Sequence, residues 1–599
     1  MASFLLAFFV LAISPSLLLA NRSHATHWKG GVGVWHPNEE KPPNSSSSVR
    51  DVVKNATLMA SSETISQGDM VVVSWSGYLP IPQRSWIGVY CPHTAQSSDY
   101  LDYIWLNNTS ITGSVRLGPI VNMRCLFEFR LFDENEEVVA ISNLVQFEKG
   151  EMAPLQGRLS LTHNTDEMRV MWVSNTDGRA VVQYGPSDDD LSSPSTAIGT
   201  SHTYQASDMC GPPATVVSAM CFRHPGYMHD ALMTGLKPRQ KYKYRFGDGE
   251  NWSEWFWFRS ARPSGDPNSQ VNMFAFGDLG EWKTMLEAEP YDRSYSTMWR
   301  IENDLAADNA DYDLLLHVGD ISYARGLGYQ WEMFGRLIEP TATRIPYHVG
   351  IGNHEYDHVV GGEKDPSKAP GQGWHPAWGN YGDDSGGECA VPMVNRFHMP
   401  DGNGNGLFWY SHEYANIHFT WISTEHDPSA GSPMYEWLAN DLASVNRSRT
   451  PWLFLMGHRP IYSSMIEMDQ DSPIDWNRNI QFSQREALED LLFKHGVDVT
   501  LTGHYHSYER TCPVYNGTCL GDLTDPQATI HLIIGMAGAI QDDGKHYDVP
   551  WSRISSLEYG YTRLSVANAT HLHVEYVQNH AGNVYDDVWI VSNHAWHQK

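Results

Sequence analysis

The spacing of apolar residues changes near position 263 and divides the chain into two kinds of predicted structure. Before it, short apolar stretches alternate with polar residues, as in MVVVSWSG and SWIGVYC, and again in GRLSLTH, EMRVMWVS and KYKYRFG. Short alternating segments separated by turn residues are typical of β-sandwiches. The pattern therefore predicts two N-terminal β-sandwich units, an extra β domain at 55–148 and a second sandwich at 153–262.

Beyond the linker Pro263–Asn268 the apolar runs are longer, and they alternate with helix-like stretches such as YSTMWRIENDLAAD and SQREALEDLLFKHG. Alternation of strand and helix indicates a layered α/β domain. The segments TIHLIIGMAG and HLHVEYVQ add strands near the end of the chain. We therefore expect one α/β domain at 270–599 that includes these C-terminal strands.

Residues 1–20 are almost wholly apolar and are followed by Asn-Arg-Ser, which is typical of a secretory signal peptide. A membrane anchor is the alternative interpretation, but no second segment of this kind follows. Residues 21–54 are rich in Asn, Pro and Ser, and we expect a flexible leader there. We expect an exported, soluble protein, located extracellularly or in the cell wall.

The nine Asn-x-Ser/Thr sequons agree with a secreted glycoprotein. They begin at Asn21, Asn44, Asn55, Asn107, Asn108, Asn251, Asn446, Asn516 and Asn568. The 599-residue chain has a formal net charge of −29 and no run of Lys or Arg to offset it. Duplex nucleic acid and anionic membranes are therefore unsuitable partners, whereas a small anion could bind beside a metal ion.

The seven cysteines form no Cys-x-x-Cys motif, so we expect disulfides rather than a zinc site. Proximity in the sequence favours Cys210–Cys221 and Cys512–Cys519, and less strongly Cys91–Cys125. One cysteine is then left over, which leaves a disulfide-linked homodimer open.

Five apolar runs in the α/β domain end in side chains that can bind metal. VNMFAFGDLG ends in Asp278, YDLLLHVGDISYARG in Asp320 and Tyr323, IPYHVGIGNHEYD in Asn353 and His354, WLFLMGH in His458, and VDVTLTGHYH in His504 and His506. A glycine precedes the first ligand of each run, which lets the backbone turn sharply there. One such motif alone is more often a polar turn, but five together predict one site beyond the strand ends.

The types of ligand indicate which metals bind. If the last motif is extended, His504 and His506 project to one side and aim at a common point. Carboxylates, an amide, a phenol and three imidazoles are too many donors for one structural zinc, and they suit two ions of iron, zinc or manganese. Two bridged ions form a hydrolytic site for phosphoryl groups.

The ordered set Gly-Asp-Leu-Gly, Gly-Asp-Ile-Ser-Tyr, Gly-Asn-His-Glu, Gly-His-Arg-Pro and Gly-His-Tyr-His-Ser-Tyr-Glu-Arg resembles that of the plant purple acid phosphatases. These are binuclear metallophosphoesterases with an N-terminal fibronectin-like sandwich. The extra β domain resembles the longer subgroup that includes nucleotide pyrophosphatase/phosphodiesterase-like members. The resemblance implies a phosphoric ester hydrolase that acts on small phosphate esters or nucleotides.

The resemblance also implies a role for each motif residue. Fe(III) would be held by Asp278, Asp320, Tyr323 and His506. The second, divalent ion (Zn, Fe or Mn) would be held by Asp320 as the bridge, with Asn353, His458 and His504. A metal-activated hydroxide would attack phosphorus, His354 would be the catalytic proton donor, and the substrate-binding residues would be Asn353, His354, His504 and Glu467.

One departure from the family bears on the substrate. Plant members carry two histidines nine and ten residues after the fourth-motif ligand, whereas HRPIYSSMIEM has Glu467 and Met468 there. Neither side chain donates to phosphate as imidazolium does. We expect hydrolysis of monoesters and also of phosphodiester or nucleotide pyrophosphate bonds. The alternative is a secreted glycoprotein that keeps its metals but has little or no phosphatase turnover.

The double substitution Glu467→His with Met468→His should shift the preference of the enzyme towards monoesters, because imidazolium groups stabilise a doubly charged phosphate. The measurement is the ratio of kcat/KM for a diester to kcat/KM for the matching monoester, in both proteins. An unchanged ratio would show that these positions do not act on the substrate.

Overall fold

The computed structural model describes residues 56–77, 85–106, 111–188, 192–280, 293–369, 374, 382–400, 404–466, 476–541, 545–594 and 596. The expected signal peptide and flexible leader lie outside the described residues. In the part of the chain that the structure describes, no helix combines the length and apolar character needed to cross a membrane.

The first unit consists of short strands in two main sheets. Its strands are β1 (Thr57–Ala60), β2 (Thr64–Ile65), β3 (Val71–Ser76), β4 (Trp86–Tyr90), β5 (Asp102–Trp105), β6 (Gly113–Leu117), β7 (Glu128–Phe132), β8 (Val138–Ile141) and β9 (Gln146–Phe147). One sheet has the order β1-β3-β6 and the other β5-β4-β7-β8, while β2 and β9 pair separately. In β3, buried Val71, Val73 and Trp75 alternate with exposed residues, as half-buried strands require.

The second unit is a sandwich of two four-stranded sheets. Its strands are β10 (Leu155–Ser160), β11 (Met168–Ser174), β12 (Val181–Pro186), β13 (Ser195–Ile198), β14 (Thr200–His202), β15 (Tyr227–Met233), β16 (Lys241–Gly247) and β17 (Phe256–Arg259). The sheet orders are β10-β11-β15-β14 and β13-β12-β16-β17, and all the pairs are antiparallel. Trp172 from one sheet and Phe246 from the other meet in the core, with ring centroids 5.3 Å apart.

The third unit begins with strands and helices in alternation. These are β18 (Val271–Phe276), α1 (Arg293–Ala306), β19 (Leu314–His317), α2 (Gly328–Ala342), β20 (Tyr347–Val349), α3 (Asn353–Tyr356), α4 (Val391–Arg396), β21 (Tyr410–Tyr414), β22 (Ile417–Trp421), α5 (Pro433–Ser444), β23 (Trp452–Met456), β24 (Met465–Ile466), α6 (Trp476–His495) and β25 (Val499–Thr502). Both predicted helices are confirmed, as α1 and α6.

Strands alone complete this unit. They are β26 (Tyr508–Thr511), β27 (Val514–Tyr515), β28 (Thr518–Cys519), β29 (Gly521–Asp522), β30 (Asp525–Pro526), β31 (Ile530–Ile534), β32 (Lys545–His546), β33 (Ser552–Ser556), β34 (Gly560–Val566), β35 (His571–Gln578) and β36 (Val584–Val591). The prediction of two β-sandwich units followed by an α/β domain is confirmed.

Two large sheets organise the third unit. One has the order β20-β19-β18-β34-β35-β36 and the other β21-β22-β23-β25-β31-β26-β33. The five strands that the ligand motifs follow are β18, β19, β20, β23 and β25, and within each sheet they run parallel to one another. Because they are parallel, their carboxyl ends lie at one edge of each sheet.

A buried ionic network joins the three units. Arg124 of the first unit donates to both carboxylate oxygens of Glu332 on α2, at 2.7 and 2.8 Å. Gln156 of the second unit donates to the same carboxylate at 2.6 Å, and Arg396 lies 3.5 Å from it. Burial raises the pKa of Glu332, but the arginines outweigh burial and lower it to about 2.

Three disulfides occur among the described residues. Cys91–Cys125 and Cys512–Cys519 are as expected. The expected Cys210–Cys221 bond is wrong, because Cys210 pairs with Cys389 across 179 residues of chain, and buried Cys221 belongs to none of the three. Closeness in sequence misled the prediction, since the fold brings the loop after β14 against the segment before α4.

Glu332→Gln should strongly destabilise the protein at neutral pH, because it leaves Arg124 as a buried charge without its anion. The expected loss is about 3–5 kcal/mol in the free energy of unfolding. The stabilisation by Glu332 is complete above its unfolded-state pKa of about 4.3 and is lost as pH falls towards about 2. Thermal unfolding from pH 7 to pH 2.5 should therefore show wild type and variant converging in acid.

Glu254→Gln is the matched control, because Glu254 forms an exposed pair with Lys149 at 3.9 Å. This variant should unfold nearly as wild type does at every pH. A Glu332→Gln protein with the same midpoint as this control at pH 7 would contradict a stabilising role of the network.

Candidate metal centre

The predicted ligands lie where the strand ends of the two sheets of the third unit meet. Gly277, just after β18, donates to Ile534 at the end of β31 at 2.8 Å. His458, two residues after β23, donates from Nδ1 to the carbonyl of Val318 after β19 at 3.0 Å. The site therefore combines side chains from two separate sheets.

A first cluster is formed by Asp278, Tyr323 and His506. The Tyr323 hydroxyl donates to Asp278 Oδ1 at 3.1 Å and lies 2.8 Å from His506 Nε2. His506 Nε2 is 3.5 Å from Asp278 Oδ1. The other ring nitrogen, Nδ1, donates to the carbonyl of Ile540, so Nε2 is the atom directed at the cluster.

A second cluster is formed by Asp320, Asn353, His458 and His504. His458 Nε2 lies 3.2 Å from Asp320 Oδ2 and 3.1 Å from Asn353 Oδ1. His504 Nδ1 lies 3.2 Å from the same amide oxygen. His458 Nε2 is also 3.9 Å from Asp278 Oδ1, so the two clusters adjoin.

His504 and His506 face different clusters, which corrects the expectation that they aim at a common point. The expectation assumed an extended segment, but β25 ends at Thr502 and His504 has φ of +70°. The turn therefore places the ring of His504 in the second cluster and the ring of His506 in the first. The roles implied by the family resemblance already divided them in this way.

Four of the seven predicted ligands have a left-handed backbone. Their φ angles are +59° at Asp278, +49° at Asp320, +50° at Tyr323 and +70° at His504. Non-glycine residues rarely adopt this conformation, which costs of order 1–3 kcal/mol each. Such a set persists only where the surrounding structure enforces it, and its concentration here marks a functional site.

The glycines of the motifs matter mainly because they let neighbouring chain segments approach each other closely. Of those preceding the ligands, Gly319 alone has a positive φ, at +89°. A Cβ on Gly352 would lie 2.5 Å from the backbone nitrogen of Asp320 and would overlap its carboxylate. A Cβ on Gly503 would overlap the carboxylate of Asp278. The lack of side chains at Gly352 and Gly503 thus lets the ends of β20 and β25 approach the two carboxylates.

The electrostatics of the buried site favour cations. Burial raises the pKa of Asp278. Burial also raises the pKa of Asp320, but the imidazoles of His458 and His354 outweigh it and hold that pKa well below its usual value. The same two carboxylates raise the pKa of His458 to about 9 against the effect of burial. Two buried carboxylates therefore hold positive charge between them.

This donor set fits two metal ions. Each cluster offers carboxylate oxygen and imidazole nitrogen, and the first adds a phenol while the second adds an amide oxygen. These oxygen and nitrogen donors, with no thiolate among them, suit iron, zinc or manganese. Metal binding would displace the protons now shared within each cluster.

His354 lies beside the second cluster. Its Nε2 is 3.9 Å from Asp320 Oδ2, and its Nδ1 donates to the carbonyl of Asp384 at 3.0 Å. The side chain is 19% exposed, so one side can meet a ligand. Burial lowers its pKa. Glu467 and Met468 lie outside the described residues.

Sequence reasoning missed the residues that support the ligands. Glu355 accepts hydrogen bonds from the backbone N–H groups of Gly352, Asp320 and Ile321 at 2.7–3.1 Å, and so joins two of the ligand loops. It stands inside the Gly-Asn-His-Glu motif, which was the available signal.

Arg459 is a second such residue. It is buried with Glu425 at 2.9 Å and Asp357 at 3.1 Å, and its Nη1 lies 3.4 Å from His504 Nε2. Its place in the Gly-His-Arg-Pro motif marked it, but no role followed from the sequence.

Gly352→Ala should weaken metal binding by about 10–100-fold, because the added methyl group displaces Asp320. The measurement is bound metal per chain after dialysis against defined free metal concentrations. Gly457→Ala is the control, because the atoms nearest to its Cβ would be the side-chain carbons Ile422 Cγ1 and Thr424 Cγ2, at 3.1 and 3.2 Å. Equal loss in both variants would rule out the contact with Asp320 as the cause.

Comparison with protein families gives three matches in order along the chain. The purple acid phosphatase N-terminal domain matches residues 154–260, the calcineurin-like phosphoesterase domain matches 272–508, and the domain described as iron/zinc purple acid phosphatase-like protein C matches 528–587. The second match contains all seven predicted ligands.

Similarity to individual proteins agrees with these domain matches. The chain is 35% identical to "probable inactive purple acid phosphatase 9" of Arabidopsis thaliana, over 91% of this chain and 87% of that one. It is 33% identical to a nucleotide pyrophosphatase/phosphodiesterase of Hordeum vulgare, over 57% of this chain and 88% of the relative.

Among solved structures, the purple acid phosphatase PPD1 isolated from yellow lupin (Lupinus luteus) seeds superposes with a TM-score of 0.77. It is 29% identical and covers 91% of this chain and 97% of its own. The chain therefore belongs to the purple acid phosphatase family and is, by that membership, a phosphoric ester hydrolase.

Proposed function

We propose that this protein is a secreted, binuclear metal-dependent acid phosphatase and phosphoesterase. The observation that carries the proposal is the convergence of seven oxygen and nitrogen donors into two adjoining clusters, with four of the seven in a strained backbone conformation. A chain that had lost its need for metal would not have to keep this strain.

In the proposed arrangement Asp278, Tyr323 and His506 hold Fe(III), and Asn353, His458 and His504 hold a divalent ion, with Asp320 shared between them. Two contacts support a bridging role for Asp320. Its Oδ2 lies 3.2 Å from His458 Nε2 of the second cluster, and the residue before it, Gly319, accepts from the backbone N–H of Asp278 of the first cluster at 3.2 Å. When bound, the two ions supply an activated water and neutralise negative charge on the phosphate.

The side chain proposed to move a proton is His354. Its Nδ1 proton is committed to the Asp384 carbonyl, so Nε2 is the atom that can deliver a proton to a leaving alkoxide. Delivery requires the doubly protonated ring. Because burial lowers the pKa of His354, that form is favoured by acid, which supports an acid phosphatase. Asn353 and His504, whose polar atoms lie 3.2 Å apart, are further substrate-binding residues in the proposal.

The substrates proposed are phosphate monoesters together with diesters or nucleotide pyrophosphates. The barley relative named as a nucleotide pyrophosphatase/phosphodiesterase supports this breadth. The replacement of a histidine pair by Glu467 and Met468 supports it independently, because a diester loses less from missing cationic donors than a dianionic monoester does.

Secretion is part of the proposal and is supported by the apolar residues 1–20 and the nine sequons. Asn516, for instance, lies on an exposed turn between β27 and β28, where its side chain is accessible to a modifying enzyme.

A protein that keeps its metals without useful turnover is the second candidate. The name of the Arabidopsis relative, "probable inactive purple acid phosphatase 9", favours it. Purified protein of known metal content should be assayed with an aryl phosphate and an aryl phosphodiester. Full metal loading with no turnover of either ester would decide for this candidate.

Two variants test the division of ligands. Asp320→Ala should lose at least one metal ion and nearly all activity, because two like cations are left without a shared anion. Tyr323→Phe should keep iron through the remaining ligands but lose the visible charge-transfer band that a phenolate on Fe(III) produces. Metal analysis and the visible spectrum of the oxidised protein are the measurements.

These variants also serve as controls for each other, since one should change metal content and the other mainly colour. Asp320→Ala protein with both metals and full turnover would overturn the two-ion proposal. Colourless wild-type protein with stoichiometric ferric iron would overturn the role of Tyr323 alone.

A further inference from the structure

Asp384 contacts two neighbouring residues of the candidate site. Its Oδ2 accepts a hydrogen bond from Asn353 Nδ2 at 3.0 Å, and its backbone carbonyl accepts one from His354 Nδ1 at 3.0 Å. Asp384 belongs to none of the ligand motifs, and it follows no strand of the two sheets.

The first contact determines which end of the Asn353 amide faces the metal centre. A carboxylate only accepts hydrogen bonds, so it must face the NH₂ end of the amide. The Oδ1 end then points at His458 Nε2 and His504 Nδ1, 3.1 and 3.2 Å away. A flipped amide would present N–H groups to a cation, and these cannot coordinate it.

The second contact determines the orientation of the His354 ring. A backbone carbonyl also only accepts, so Nδ1 carries a proton and the ring cannot rotate without losing this bond. The other ring nitrogen, Nε2, therefore faces Asp320.

The segment 382–390 that carries Asp384 is itself held firmly. Cys389 is bonded to Cys210 of the second unit, and the carbonyl of Gly387 accepts from the backbone N–H groups of Cys210 and Gly211 at 2.9 and 3.2 Å. On its other side Ser385 donates to the carbonyl of Asp357 at 3.1 Å. The segment therefore joins the second sandwich to the end of the short helix α3, which contains Asn353 and His354.

We propose that Asp384 is a positioning residue that orients Asn353 for the divalent ion. Because the 382–390 segment is bonded to the second sandwich, the sandwich helps to fix the position of Asp384 and so the orientation of Asn353. This deepens the proposed function and rests on it, because it requires a divalent ion in the second cluster.

The experiment compares Asp384→Leu, which has a similar shape but no acceptor, with Asp384→Asn, which keeps an acceptor oxygen. The divalent ion is removed from the iron-loaded protein and titrated back with Zn²⁺ or Mn²⁺. Asp384→Leu should bind it about 10–100-fold more weakly, as loss of a ligand's supporting hydrogen bond typically does. Asp384→Asn should bind it nearly as wild type does.

Two further readouts separate positioning from folding. The visible band of the Tyr323–iron unit should be unchanged in both variants, because Asp384 does not contact the first cluster's ligands in the described structure. Asp383→Leu is the matched control, because it removes a carboxylate of the same segment that accepts from the backbone N–H groups of Val359 and Gly387 rather than from Asn353. Its affinity for the divalent ion should stay near wild type.

Wild-type affinity in Asp384→Leu would overturn the proposal, as would equal losses in Asp384→Leu and Asp384→Asn. If Asp384→Leu does not fold, Asp384→Ala replaces it; unfolding of both, with Asp384→Asn stable, would mark a folding role and also overturn it. Wild-type protein that binds iron but no divalent ion would instead overturn the proposed binuclear function.

Discussion

Two carboxylates, Asp278 and Asp320, are buried where the strand ends of two sheets converge, and the surrounding structure depends on compensating their charge. Both are almost inaccessible to water. Each buried anion must be paired or neutralised, because an isolated charge in the interior costs several kcal/mol. His458 Nε2 lies 3.9 Å from the carboxylate of Asp278 and 3.2 Å from that of Asp320. Metal ions provide the remaining compensation in the proposed enzyme.

That requirement also accounts for the local backbone. To bring oxygen and nitrogen atoms from two sheets within 4 Å, the chain must reverse immediately after each strand. It does so with left-handed residues at four ligands, and with glycines where a side chain would overlap a carboxylate. The strain is local. It is offset by the hydrogen bonds of Glu355 and Arg459, which stabilise the segments that carry the ligands. These hydrogen bonds therefore help to fix the geometry of the ligands.

The fold could be predicted from the sequence because it depends on local signals, and the candidate ligands are marked by local signals of the same kind. Apolar periodicity marks β18, β19, β20, β23 and β25, and a Gly-Asp, Gly-Asn or Gly-His pair marks the end of each. The separation of His504 from His506 could not be predicted from their spacing, since a positive φ at a histidine leaves no compositional trace, and the family resemblance alone implied it. The Cys210–Cys389 bond and the role of Asp384 depend on tertiary contacts of an irregular, glycine-containing segment. Neither has a periodic pattern from which to infer it.

The Cys210–Cys389 disulfide closes a covalent ring of the chain. This ring contains the linker Pro263–Asn268 and the candidate ligands Asp278, Asp320 and Asn353. The three histidines His458, His504 and His506 lie outside it. A ring of 179 residues restricts the unfolded chain by about 5 kcal/mol in the chain-entropy treatment. A protease that cuts the linker in an oxidising environment would therefore release no fragment. The sandwich and the part of the site that holds Asp278 and Asp320 would stay tethered until a reductant opened the ring, so the nicked protein would persist as one particle.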